Sequence, residues 1–195
     1  SLSATTGGAF TATGPITAGT SATITGGSIT TANATAGGAL SLTANQGAID
    51  TSDLTGGTGV QLRGSSSATI GNITASANNV DIVLASGLTG GNVTAANNIM
   101  IVNTSGAVTA GALSAGNTIA VTNGGAVTLA SAAGSDITLA STANAINVST
   151  VTARGALTGT AATALTLGTA TAGSTIALTG QTINATTLTA ATNIT

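Results

Sequence analysis

The chain has 195 residues, two arginines, no lysine, four aspartates as its only acidic side chains, and no histidine, cysteine, tryptophan or tyrosine. That composition excludes the usual zinc, haem and iron–sulfur ligand sets, a thiol nucleophile and a Ser-His-Asp triad, and two arginines cannot supply the basic footprint that nucleic acid requires. With 42% hydrophobic residues, a mean hydropathy of +0.52 and a net charge of −2, the chain should fold or aggregate rather than remain disordered, and no apolar run nears the ~18 residues of a membrane helix. Ser1-Leu2-Ser3 does not open a basic and apolar leader, so any targeting signal is expected to lie outside this segment or to have been removed.

A repeat organises the whole sequence, and its apolar anchors are read here in chain order. Leu2, Phe10 and Ile16 lead the first repeat, Ala22, Ile29 and Ala34 the second, and Leu40, Ile49 and Leu54 the third. Val60, Ile70 and Ile73 follow in the fourth, Val80, Leu88 and Val93 in the fifth, and Ile99, Val108 and Leu113 in the sixth. Ile119, Val127 and Ala132, then Ile137, Ile146 and Val151, then Leu157, Leu165 and Ala170, then Ile176, Ile183 and Leu188 complete ten, and Ile194 begins an eleventh.

Successive first anchors are 18 to 20 residues apart. A second apolar residue lies two positions after most of them, as in Leu40-x-Leu42, Ile99-x-Ile101 and Ile137-x-Leu139, which is the period of a strand. The step from second to third anchor is five residues in eight of ten repeats and the step to the next first anchor is six in eight of ten. Between first and second anchors it varies from seven to ten, and Gly and Ser gather there, as in Gly64-Ser65-Ser66-Ser67 and Asn123-Gly124-Gly125. Three short strands with one apolar face each wind into a coil that stacks on the next. The expectation is an all-β chain: a parallel β-helix, or β-solenoid, of about ten coils, and right-handed, because the variable corner fits a left-handed hexapeptide coil poorly. Residues 1–195 form one such domain, expected to be uncapped at both ends and to belong to a longer array.

Asn98-Ile99-Met100-Ile101, Gly106-Ala107-Val108-Thr109-Ala110-Gly111-Ala112-Leu113-Ser114-Ala115-Gly116 and Asp136-Ile137-Thr138-Leu139-Ala140-Ser141 resemble the degenerate repeats of filamentous haemagglutinin-like bacterial exoproteins secreted by the two-partner route. The resemblance covers essentially the whole chain, and autotransporter passengers share the pattern. It implies an extracellular or cell-surface β-helical shaft that holds adhesive elements away from the cell; the family's secretion domain is not recognisable here.

Few residues invite a chemical reading. Asp50, Asp53, Asp81 and Asp136 lack a partner base and an aromatic platform for a sugar, so no catalytic residue and no enzyme activity are expected. Arg63 with Asp81, and Asp136 with Arg154, fall on neighbouring coils and are candidate surface ion pairs, each worth about 0 to 1 kcal/mol. Gly56-Gly57-Thr58-Gly59-Val60-Gln61 lacks the Asp of calcium-binding repeats, so no metal and no cofactor are expected. Seven Asn, at 33, 72, 92, 103, 147, 184 and 193, begin N-x-S/T triplets, close to the number that chance gives at this Ser and Thr content.

Two surface patterns remain. Thr17, Thr35, Thr55, Thr74, Thr94, Ser114, Thr152, Thr171 and Thr189 follow the third anchor as an outward hydroxyl ladder, broken at Ala133, readable as wettable strand-forming residues or as a ligand face for ice or glycan. Val83, Met100 and Val102 occupy outward positions where other coils usually carry Ser, Thr, Gln or Arg, and are a candidate lateral contact. The expected function is a non-catalytic structural shaft; the alternatives are a filament subunit stacking end to end and ligand binding by the hydroxyl ladder. Expected partners are other coils or other copies of the protein, with a host or cell-surface glycan as a further one, and neither nucleic acid nor membrane insertion.

Overall fold

A computed structural model describes all of residues 1–195. It is entirely β, with every strand pairing parallel. The first strands of the ten coils form one ten-stranded sheet, from Leu2–Thr5 and Ala22–Gly26 through Val60–Gly64 and Val80–Leu84 to Ile176–Thr179. The second and third strands form a fifteen-stranded sheet, because in the last five coils the two run together, as in Val108–Ala115 and Thr182–Ala190. The molecule is therefore a β-solenoid, coiling once every 19 residues or so, and at a strand spacing of about 4.8 Å its ten rungs make a rod roughly 48 Å long.

The register follows the anchors. Leu2 pairs with Ala22, Ala22 with Leu40, Leu40 with Val60 and so on to Leu157 with Ile176, and an isolated bridge joins Ile176 to Ile194. The third anchors form an unbroken column from Ile16 to Leu188. Period-two alternation turns every anchor inward, and 49 buried apolar residues merge into one core along the axis.

One anchor is corrected. In the fourth coil the residue stacked between Ile49 and Leu88 is Ala68, not Ile70. Ile70 also faces in, two residues further, between Thr51 and Gly90. Period two makes both positions inward, so apolarity alone cannot choose between them, and volume does. Ile49 precedes Thr51, Ala68 precedes Ile70 and Leu88 precedes Gly90, so large and small side chains alternate between the two columns at constant filling. With Ala68 as anchor the fourth coil regains the five-residue step to Ile73.

The two buried threonines bond to the carbonyl of the next residue. Thr31 Oγ1 donates to Ala32 O at 2.9 Å and Thr51 Oγ1 to Ser52 O at 3.2 Å. A buried ladder of Asn103, Asn123 and Ser141 ends the first strands of coils 6 to 8, where earlier coils hold Ala44, Gly64 and Leu84. Inward side chains of the last coil lie open, with Ile183 44% and Ile194 50% exposed.

Candidate functional site

The hydroxyl ladder runs in register along the rod and is interrupted once, at Ala133. Thr17 pairs with Thr35, Thr35 with Thr55, Thr55 with Thr74, Thr74 with Thr94 and Thr94 with Ser114. Ser114 then meets Ala133, and Thr152, Thr171 and Thr189 complete the rank. A second rank of threonine beside it covers only the last three coils, through Thr150, Thr169 and Thr187. Below them that column carries Asn33, Asp53, Asn72 and Asn92, which serve the backbone.

At the corner between second and third strands, N–H groups leave the sheet ladder and need another acceptor. Asn33 Oδ1 accepts from Asp53 N–H at 3.1 Å, Asp53 Oδ1 from Asn72 N–H at 2.7 Å, Asn72 Oδ1 from Asn92 N–H at 3.0 Å, and Asn92 Oδ1 from Ala112 N–H at 2.9 Å. A glycine precedes three of these recipients because the side-chain oxygen of the coil below approaches so closely. A Cβ on Gly91 would lie 2.8 Å from Asn72 Oδ1 and one on Gly71 2.5 Å from Asp53 Oδ1, while one on Gly111 would collide with Asn92 Oδ1.

A second such column precedes the first strands. Asn98 N–H donates to Asn79 Oδ1 at 3.2 Å, Thr118 N–H to Asn98 Oδ1 at 3.1 Å, and Ala156 N–H to Asp136 Oδ1 at 2.8 Å. These ladders were not anticipated from the sequence. Their signal is there once the repeats are aligned, since Asx recurs one residue before the third anchor and one before the first.

The charged groups do not pair as expected. Arg154 donates to the Gly116 carbonyl and to Ser135 Oγ at 2.9 Å, reaching across two coils, while Asp136 is occupied by Ala156 N–H. Arg63 stands opposite Thr43 and Val83, and Asp81 opposite Gln61 and Met100, so the two are diagonal and no ion pair joins them. Asp50 faces outward between Thr30 and Thr69 and is exposed. The four carboxylates are dispersed, and no three potential metal ligands gather.

Val83 and Val102 are cross-strand neighbours on one outward rank, whereas Met100 lies on the adjoining rank between Asp81 and Ala120. All three are partly buried, so the apolar break is a narrow patch over coils 5 and 6. The largest depression on the rod lies beside it. It is a groove of about 500 Å³ at the corner of coils 3 to 5, lined with Thr58, Gly59, Gln61, Asn78, Asn79 and Asp81 among others. No family model, curated protein or solved structure matches the chain.

Proposed function

We propose that this chain is a segment of the stiff, non-catalytic shaft of a secreted bacterial surface fibre or adhesin. The observation that carries the reading is the unbroken parallel register: both sheets and a single core run the length of the rod without a hinge, so load along the axis is shared by a hydrogen-bonded ladder at every rung. The outer surface, rich in Thr, Ser, Asn and Gly and nearly without charge, suits a spacer that is wetted without attracting polyelectrolytes. The resemblance to filamentous haemagglutinin-like repeats supports an extracellular or outer-surface location. Binding of ice by the hydroxyl ladder has less support, because the doubled threonine rank spans three coils only.

Electron microscopy of the native material, with the intact polypeptide mass measured beside it, tests the proposal. Long rods built from a polypeptide many times heavier than the 17.9 kDa of these residues are the expected result. Long rods built from a 17.9 kDa polypeptide would replace the shaft with a filament of stacked subunits, and globular particles would overturn both.

A further inference from the structure

The corner column that precedes the first strands contains a ladder with a missing rung. Asn79 Oδ1 accepts both the backbone N–H and Nδ2 of Asn98, each at 3.2 Å. Asn98 Oδ1 in turn accepts the N–H of Thr118 at 3.1 Å and its Oγ1 at 2.9 Å. Beside it, Asn97 Nδ2 donates to Asn78 Oδ1 at 3.1 Å. At Asn79 and at Asn98 the geometry is the same: one carbonyl oxygen of the lower coil takes a backbone donor and a side-chain donor from the coil above.

Below Asn79 the ladder stops. The pairing of Val60 with Val80 and of Leu40 with Val60 puts Gly59 under Asn79 and Ala39 under Gly59. Neither offers an oxygen on a side chain, and the N–H and Nδ2 of Asn79 make no hydrogen bond within the protein. Gly59 and Asn79 both line the groove of about 500 Å³, a size within the usual range of small-ligand sites, and a Cβ on Gly59 would lie 3.9 Å from the Asn79 nitrogen and 3.1 Å from its carbonyl oxygen. Gln61 and Asp81, cross-strand neighbours on its wall, are only partly exposed, and neither side chain bonds internally. Asp81 is the one charged group of the lining, and Met100 is the next rung above it.

We propose that this groove binds an N-acetylated hexosamine unit of a glycan, with the acetamido group in the place of the missing rung. The acetamido carbonyl takes the N–H and Nδ2 of Asn79, as Asn79 Oδ1 takes those of Asn98, because an acetamide is the closest free counterpart of an asparagine side chain. A ring hydroxyl donates to the Asp81 carboxylate and a second bonds the Gln61 amide. A lone carboxylate and no cation in the lining select a neutral sugar over an acidic one. The inference stands on the groove alone and does not depend on the rod being a shaft.

The test is a ¹⁵N–¹H NMR titration of the 195-residue chain with N,N′-diacetylchitobiose, and with cellobiose as the analogue that lacks the acetamido group. The expected result is a saturable shift of the Asn79 backbone and side-chain amides with a Kd of about 1 mM, and at least about tenfold weaker binding of cellobiose, the worth of one to two hydrogen bonds. Gly59→Asn supplies the rung and should abolish the shift while the spectrum stays dispersed. Asp81→Ala, which removes no internal hydrogen bond, should weaken binding about tenfold. No saturable shift at Asn79, equal binding of cellobiose, or undiminished binding by Gly59→Asn overturns the proposal. Should Gly59→Asn not fold, Asp81→Ala decides: weaker binding supports the proposal and unchanged binding overturns it.

Discussion

Asn123 is fully buried, and both ends of its carboxamide are committed: Oδ1 accepts from Asn103 Nδ2 at 2.8 Å and Nδ2 donates to the Ala126 carbonyl at 2.7 Å. Removing it leaves one of the two N–H groups of buried Asn103 Nδ2 unpaired, while the Ala126 carbonyl keeps the Val108 N–H at 2.8 Å, and an unpaired buried donor costs more than the bond itself contributes. Asn123→Ala should lower stability by about 1 to 3 kcal/mol, read as a fall in the urea midpoint. Asn103 Oδ1, by contrast, has no partner and abuts Leu84, so the ladder closes at its upper end and not at its lower one. Gly106 shows the same sensitivity in the backbone. Its φ is +76°, and a Cβ there would collide with the Ser86 carbonyl. Gly106→Ala should cost about 1 to 3 kcal/mol, whereas Gly8→Ala, with nothing within 4 Å of its Cβ, should stay within about 0.5 kcal/mol; thermal unfolding of the pair separates backbone strain from a general intolerance of side chains at the variable corner.

Strands and corners differ in how much freedom each coil allows. The variable corner after the first strand absorbs length, while the five-residue step from second to third anchor does not, because its Asx oxygen must meet an N–H one coil above. Two extra residues between Ser65 and Ser66 should leave the far-ultraviolet β signature and the melting temperature nearly unchanged. One extra residue after Gly111 reverses the inward and outward faces of whatever follows in that strand, and should yield aggregated protein on size-exclusion chromatography. The anchors were legible because an inward position must be apolar and the period is two. Ile70 misled because Ala68 is inward as well, and only the volumes of Thr51 and Gly90 in adjoining coils reveal which of the two continues the column. In the sequence Asn72 and Asn92 stand out only as the start of N-x-S/T triplets, since their structural role is defined by a backbone N–H about twenty residues away. Arg154 was matched to Asp136 by charge, yet a carbonyl and a hydroxyl lay within its reach and the carboxylate was already bonded.

At the scale of the whole rod, each coil pairs its strands only with adjacent coils, and Arg154 alone donates a side-chain hydrogen bond two coils away, so stability should behave as a sum of coil and interface contributions along one dimension. A coil can then be removed if the phase is kept. Deleting residues 80–98 joins Asn79 to Ile99, which occupies the register position of Val80. It also replaces Leu84 by Gly64 beneath Asn103 and so relieves the apolar wall against its unpartnered oxygen. The shortened chain should keep its β circular dichroism, and solution scattering should show the long dimension reduced by about 5 Å, one strand spacing. Deleting residues 80–89 instead places Gly90 after Asn79, where the next first strand must begin, and exchanges a first strand for the end of a second. That variant lacks the apolar pair that most first strands turn inward, and it should unfold or aggregate although it loses about half as many residues. Equal damage from both deletions would mean that the coils fold as one indivisible unit rather than as a stack.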